Sequence, residues 1–454
     1  MKWYGCLLIV VLMVLGVPCS VLAETESGAQ KTDDTHEFTM TAVQAMQLAG
    51  AMVERGDIEN AEQILTKTPP MNNAALEIER WFLLAQIATR RGDIDSAIEI
   101  YRTILDAQPD LARIRFELAV CYMHQKKWSR ADYHMRLAMA GDDLPENVRG
   151  LMNYYRYIIR QNKNWNVWFN FSAAPDNNIN NAVGGQECVY GVFCRDLPDP
   201  VSAMGYNLTL GGNYEFKLSD QWRWKSDASV YSNIYDLHDY DDLLLYVSTG
   251  PRFIWSRGDV WLGALATRRW YGWRGYNWAA GVRINVGYDF TRKLSGGLSL
   301  QYVANQYDDY GDFLNGGTYS TNIHMVYSIT PSIYTVMRGG IAREKTIASE
   351  YSYLMPNISI GIGAELPYGF GVYFEPNFYW QLYDAPQWVV YDNVFAQITE
   401  HDFTQRYSVS ISNNKLDVWG FVPTVVFSYT RRDSNMWQRE YDRWAIEFTM
   451  QQRF

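Results

Sequence analysis

Along residues 441–454, apolar and polar side chains alternate. Trp444, Ile446, Phe448, Met450 and Phe454 fall on one side of an extended chain, and Arg443, Glu447, Thr449, Gln451 and Arg453 on the other. Successive side chains of a strand point to opposite faces, so one face suits hydrocarbon and the other water. The same period of two runs back through the chain. Trp278, Ala280, Val282, Ile284, Val286, Tyr288 and Phe290 alternate with small or polar residues, as do Ile358, Ile360, Ile362, Ala364 and Leu366. Fourteen such segments are expected between Trp165 and the C-terminus, the first at 165–174 and the last at 440–454.

The connections alternate too. Those after even-numbered segments are tight, such as Leu218-Ser219-Asp220, Ser256-Arg257, Thr330-Pro331, Pro367-Tyr368 and Asn414-Lys415, whereas most odd-numbered ones are longer, notably 175–202 and 382–401. An even strand number, tight turns at one end and long loops at the other predict a closed antiparallel barrel of the outer-membrane kind, with tight turns and both termini at the periplasmic end. Trp222, Trp224, Trp261, Trp270, Trp273, Trp380 and Trp444 lie near segment ends and are expected in two interfacial girdles. A soluble β-sandwich would need a second sheet to cover so much apolar surface, over a helix-free stretch longer than such domains usually have.

Upstream, at 37–161, the period is helical and the sequence repeats. Arg55-Gly56-Asp57-Ile58-Glu59-Asn60-Ala61 recurs as Arg91-Gly92-Asp93-Ile94-Asp95-Ser96-Ala97, and more loosely as Gln125-Lys126-Lys127-Trp128-Ser129-Arg130-Ala131. The Ala61, Ala97 and Ala131 positions are 36 and 34 residues apart, the spacing of tetratricopeptide repeats. Ala61, Ala97 and Ala131 are expected where helices pack closely, Gly92 at a turn, Tyr101 in the packing and Pro109 at a helix stop. The Arg-Gly-Asp triplets fall at turns, and turn chemistry accounts for them.

The first residues carry one cation at Lys2, an apolar run from Cys6 to Val17 and a small-residue ending at Ala23, the pattern of a secretory signal peptide. The expected organisation is a signal peptide at 1–23, a flexible segment at 24–36, a periplasmic repeat domain at 37–161 and a barrel at 165–454. After export, Cys188 and Cys194 stand close together in a loop, an arrangement suited to a disulfide, while Cys121 occupies an apolar helical position. With 17 Trp, 33 Tyr and a mean hydropathy of −0.27, the chain is not a helical membrane protein, but polar lumen residues allow a barrel. A net charge of −10 without a basic patch argues against a nucleic-acid partner.

No HExxH, GxSxG or phosphate-binding glycine loop occurs, and His324 has no nucleophile spaced to pair with it, so no catalytic, cofactor or metal residues are assigned. The acidic cluster of Asp236, Asp239, Asp241 and Asp242 with His238 reads as a solvated loop, as does that of Asp308, Asp309 and Asp312. The expected lumen mixes Arg223, Lys225, Asp227, Arg283, Asp289, Arg406 and Glu447, which favours no single ionic substrate.

The combination of tetratricopeptide repeats with a fourteen-strand barrel resembles the surface lipoprotein assembly modulators, the Slam family. The resemblance is sharpest at Pro175, Asp176, Asn177, Asn178, Ile179 and Asn180, similar to the family's signature after the first strand. Here the asparagines are expected to form a functional turn by adopting left-handed backbone and bonding back to it. The resemblance implies an outer-membrane translocator for surface lipoproteins or secreted haem- and metal-scavenging proteins, with the repeats engaging client in the periplasm. It implies as partners the client, outer-membrane lipid and lipopolysaccharide, the barrel-assembly machinery and periplasmic chaperones. The competing reading is an exopolysaccharide exporter or passive porin. Trp444, Phe448, Met450 and Phe454 are expected to mark the strand that closes the barrel.

Overall fold

The computed structural model describes residues 40–142, 146–391, 394–416 and 421–452. The expected signal peptide, the segment at 24–36 and Phe454 lie outside these residues. Seven helices come first: α1 (Ala42–Arg55), α2 (Ile58–Lys67), α3 (Ala74–Arg91), α4 (Ile94–Ala107), α5 (Ala112–His124), α6 (Trp128–Ala138) and α7 (Glu146–Asn162). Two compact units divide them. One holds the chain to Tyr101 together with residues 143–153, and the other holds 102–142 and everything from Tyr154 onward. The change of period near Trp165 is therefore not where packing divides the chain, because the third helical pair belongs to the barrel's unit.

In the first unit, α1 opens with a capping box in which the Thr41 hydroxyl accepts from the Gln44 N–H and the Gln44 side chain returns the bond. Gly56 and Gly92 end α1 and α3 in the left-handed region, with φ of 83° and 84°. Ala45, Met46, Ala49, Val53, Ala61, Leu65, Leu83 and Ile87 form one core, and the Tyr101 ring packs 6.2 Å from that of Phe82. Ala61 and Ala97, like Ala131 in the second unit, are wholly buried. At the third copy of the repeat Lys126 stands where the earlier two have glycine, and it takes the same backbone, with φ of 58°.

Eighteen strands follow among the described residues. Fourteen form a closed antiparallel barrel: β1 (Trp165–Asp176), β4 (Ala203–Lys217), β5 (Trp222–Tyr235), β6 (Asp242–Trp255), β7 (Gly258–Tyr271), β8 (Arg274–Asp289), β9 (Leu294–Tyr307), β10 (Gly316–Ser328), β11 (Ile333–Thr346), β12 (Tyr353–Glu365), β13 (Phe370–Tyr383), β16 (His401–Asn413), β17 (Phe421–Ser434) and β18 (Tyr441–Gln452). The expected fourteen segments are all present. The two longest outer loops carry hairpins that the alternation did not disclose, β2 (Gln186–Val189) with β3 (Phe193–Asp196), and β14 (Gln387–Tyr391) with β15 (Val394–Ile398).

Alternation sets which face is which. Val282, Ile358, Ile360, Ile362, Trp444 and Phe448 stand exposed on the outside, while Ser359, Ala445 and Thr449 turn in and are buried. Trp261 departs from the expected girdle. Its neighbour Leu262 takes the outward place, and Trp261 points into the barrel, 3% exposed. Gly263 makes room for the indole, since a Cβ there would lie 2.0 Å from the ring, and Lys225 sits 5.5 Å from the ring centroid.

The tight-turn end of the barrel carries the end of α4, α5, α6 and the end of α7, with polar links from these helices and their connections to all six turns. Gln161 donates to the Asp220 carbonyl at 2.7 Å, and Arg160 to the Ser256 carbonyl at 3.2 Å. Arg156 and Arg160 both pair with Asp289, at 3.0 and 2.6 Å, and Asp142 pairs with Lys293 at 2.7 Å. Asp110 accepts from Thr330 and Ser332 at 3.0 and 2.6 Å, Arg115 pairs with Glu365 at 2.5 Å, and Arg102 donates to the Asn414 carbonyl at 2.6 Å. Two of the expected lumen charges are engaged in this way. Asp289 anchors α7, and Arg223 donates to the Gln161 carbonyl and side chain at 3.1 and 2.8 Å, where its charge also suits a helix C-terminus. Of the lumen charges beyond the turns, Lys225 pairs with Asp227 at 3.1 Å and Arg406 with Glu447 at 3.9 Å, while Arg283 donates to the neutral Gln301 side chain at 2.7 Å.

Candidate functional site

The barrel closes where β1 meets β18, and among the described residues this seam is the shortest ladder of the barrel. Asn170, Phe171, Ser172 and Ala173 pair with Gln451, Met450, Thr449 and Phe448, and Asp176 with Ala445. That is five pairs, against nine to fourteen in every other barrel ladder. Pro175 contributes to the shortfall, because it has no N–H to offer a neighbour. Within the ladder the gap at Ala174 and Pro175 removes backbone bonds that would hold the closure there.

The outer end of the seam is held by side chains of the signature turn. Asp176, buried, accepts from the Asn178 N–H through one oxygen at 3.0 Å and pairs with Arg443 of β18 through the other. Asn177 accepts from the Trp444 N–H at 3.3 Å, and Arg443 also reaches the Asn181 side chain at 3.4 Å. The turn is braced from within. Asn178 accepts from the Ala182 N–H at 2.9 Å and donates to the Ala182 carbonyl at 2.8 Å, and Asn180 does the same with the Val201 N–H and the Asp199 carbonyl, both at 2.9 Å. Ile179 is buried beneath it. The expected left-handed residue is not among Asn177, Asn178 and Asn180, since Asn181 takes that conformation, with φ of 49°. Side-chain bonding fixes the first three in ordinary backbone.

Sequence reasoning placed Arg443 on a polar face without linking it to Asp176, because a strand's period shows which way a side chain points and not which strand it meets. Trp444 and Phe448 face outward on the closing strand, with Met450 half-buried. Cys188 and Cys194 stand opposite each other in the β2–β3 hairpin and are bonded.

One or two members of each acidic cluster are engaged within the fold. Asp241 accepts from the Tyr235 N–H, His238 and the Trp273 indole at 2.8, 3.0 and 2.7 Å. Asp242 takes both arms of Arg269, and Asp308 both arms of Arg268.

A second constellation joins the helices to the barrel. Arg115, wholly buried, and Tyr133 both bond the Glu365 carboxylate at the end of β12. His134 stacks on Tyr122 with centroids 5.5 Å apart and meets Tyr133 edge-on at 5.2 Å. Burial, and next the Arg115 charge, push its imidazole down to about 3. Asp106, beside Lys415 at 3.6 Å, is raised by burial, which Lys415 and Arg102 only partly offset. Nothing in the local sequence marked this cluster, since Arg115 lies in a stretch of alternating charged and apolar residues from Arg113 to Leu118.

A family model described as surface lipoprotein assembly modifier matches residues 165–454, the whole barrel from β1 onward. The chain belongs to that family. It is not a family of enzymes. A tetratricopeptide-repeat model matches residues 88–143. Among curated relatives, the surface lipoprotein assembly modifier of Pasteurella multocida is 21% identical over 388 residues, covering 82% of this chain and 75% of its own. Surface lipoprotein assembly modifier 1 of Neisseria meningitidis is 28% identical over 200 residues, 44% of this chain and 40% of its own. Among solved structures, a loop-deletion variant of OmpT, an outer membrane protein of Vibrio cholerae, aligns with 9% identity and a TM-score of 0.34, covering 63% of this chain and 99% of that one. The chain is an outer-membrane β-barrel with an N-terminal repeat domain.

Proposed function

We propose that this protein delivers lipoproteins across the outer membrane to the cell surface, with the helical repeats engaging client in the periplasm and the β1–β18 seam serving as its way out. The observation that carries the reading is the match of the entire barrel to the family of surface lipoprotein assembly modifiers, whose relatives are named for surface lipoprotein assembly. The geometry adds two supports. Helices are bound to every tight turn at the periplasmic end, which favours regulated passage over the standing pore of a porin. Among the described residues the seam is the barrel's shortest ladder, and side chains that can let go hold its outer end. No nucleotide-binding loop is present, so folding of client outside is the source of direction in this scheme.

Secreted scavengers of haem or metal are a second class of client under the same reading, as folding outside requires no lipid. Periplasmic chaperones would hand over the unfolded chain, and the barrel-assembly machinery would insert the translocator among lipid and lipopolysaccharide. The test is surface labelling of a lipoprotein encoded beside this protein, in cells with and without it. Loss of labelling with unchanged lipoprotein abundance is expected. Equal labelling in both strains overturns the proposal.

A further inference from the structure

On the outer surface the two loop hairpins and the turn leading into β18 enclose a cavity of about 600 Å³. Its walls include Val189, Phe193, Trp388, Val390, Phe395 and Met436. Phe193, Trp388 and Phe395 remain 74, 69 and 62% exposed, a concentration of aromatic surface in water that marks a binding region. The hairpins are two-stranded sheets, so every strand in them keeps an edge without a neighbouring strand among the described residues. The free edge of β14 faces this region, because the Gln438 side chain donates to the Val390 carbonyl at 2.6 Å, as the N–H of a third strand would. The same amide group reaches Glu187 of the other hairpin at 2.9 Å.

We propose that this cradle takes an extended, apolar polypeptide segment, added as a strand to the edge of β14, and that the occupant is the client as it emerges. The proposal rests on the reading of the barrel as a protein translocator. Continuity selects the occupant. Gln438 lies in the turn that runs into β18, and the β2–β3 hairpin belongs to the loop that begins with the Asp176 turn gripping Arg443. A chain leaving by the seam therefore meets the cradle first. Alternate side chains of an added strand would enter the apolar walls, while its backbone bonds the edge whatever the sequence. Arg195 and Arg439 stand at the rim paired with the buried Glu187 and Glu400, so shape and the strand edge, and not charge, select what the cradle takes. For a client that must stay unfolded until it is outside, such a site holds the first exported segment and disfavours its return.

The test uses the full-length protein in lipid discs and a fluorescent peptide of four Val-Thr units flanked by pairs of glutamates for solubility. Saturable binding is expected. It should weaken about tenfold when alternate amides are N-methylated, which removes the strand's donors and keeps its apolar surface. It should weaken to a similar extent in the Trp388→Ser, Phe395→Ser double variant, whose heat-modifiable migration reports an intact barrel. Absence of binding overturns the proposal. So does equal binding of the N-methylated peptide, the behaviour of an acyl-chain site, or a dimer of the protein that the double variant dissolves and the peptide does not. Peptide binding with no dependence of lipoprotein display on the protein would sink the translocator reading and leave the cradle standing. Dependent display with no peptide binding would do the reverse.

Discussion

Arg115 of α5 and Glu365 at the end of β12, 250 residues apart in the chain, meet at 2.5 Å with the guanidinium wholly shielded from solvent. Removing one partner of a buried pair strands the other charge, at a cost of about 3 kcal/mol. Glu365→Gln is therefore expected to loosen α5 and α6 from the barrel while leaving the barrel closed. Hydrogen exchange should show faster exchange in residues 112–138 with unchanged protection in β8 and β9. Equal protection of the helices in both proteins refutes this.

Acid should act on the same junction through His134. Its imidazole, held near 3 in the fold against an ordinary 6.5, favours the native state fully above 6.5, and that contribution is lost as pH falls from 6.5 towards 3. The proteolysis threshold of residues 112–138 is expected to drop over this range, and His134→Phe should flatten the dependence between 6.5 and about 5, before the carboxylates begin to titrate. A slope unchanged by that substitution would count against His134 as its source.

Asp132 titrates lower. Burial pushes its carboxyl up, but Arg136, Arg156, Lys163 and Arg160 outweigh this and hold it at about 2. Its contribution is present above the ordinary value of 3.8 and disappears as pH falls towards 2. Asp132→Asn should lower the unfolding midpoint of α6 at pH 7 and make much less difference at pH 2, where the carboxyl is half protonated, as followed by circular dichroism.

The seam can be locked. Ser172 and Thr449 are directly opposite across it, and opposed residues of an antiparallel pair lie within the span of a disulfide. If client passes between β1 and β18, Ser172→Cys with Thr449→Cys should abolish surface display under oxidising conditions, and a reductant should restore it. Undiminished display by a fully crosslinked protein would mean passage by another route.

Lys126 holds left-handed backbone where the first two repeats use glycine. That conformation costs a residue with a Cβ about 1 kcal/mol, so Lys126→Gly is expected to raise the thermal midpoint of the α5–α6 pair. A lower midpoint would show that the lysine side chain contributes more than its backbone costs.

What was legible in advance followed from local rules. Alternation at Ile358, Ile360 and Ile362 shows which way a strand faces, and Thr330-Pro331 shows where it turns. Repetition of Ala61, Ala97 and Ala131 shows which helix positions pack closely. Trp261 escaped these rules because a ring's side of the sheet depends on the register of its own strand and on space supplied by Gly263. The β2–β3 and β14–β15 hairpins escaped because strands of four or five residues leave too short a period to read.

By itself, then, the sequence determined the fourteen strands, their two faces and the helical repeats, since each depends on neighbours a few residues apart. Only the tertiary structure decided that Asp176 holds Arg443, that Glu365 receives Arg115, and that the third helical pair packs as part of the barrel's unit. These links join residues hundreds of positions apart. Each exists because barrel closure brings its partners together, and no local periodicity records which strand, turn or helix a charged side chain will find there.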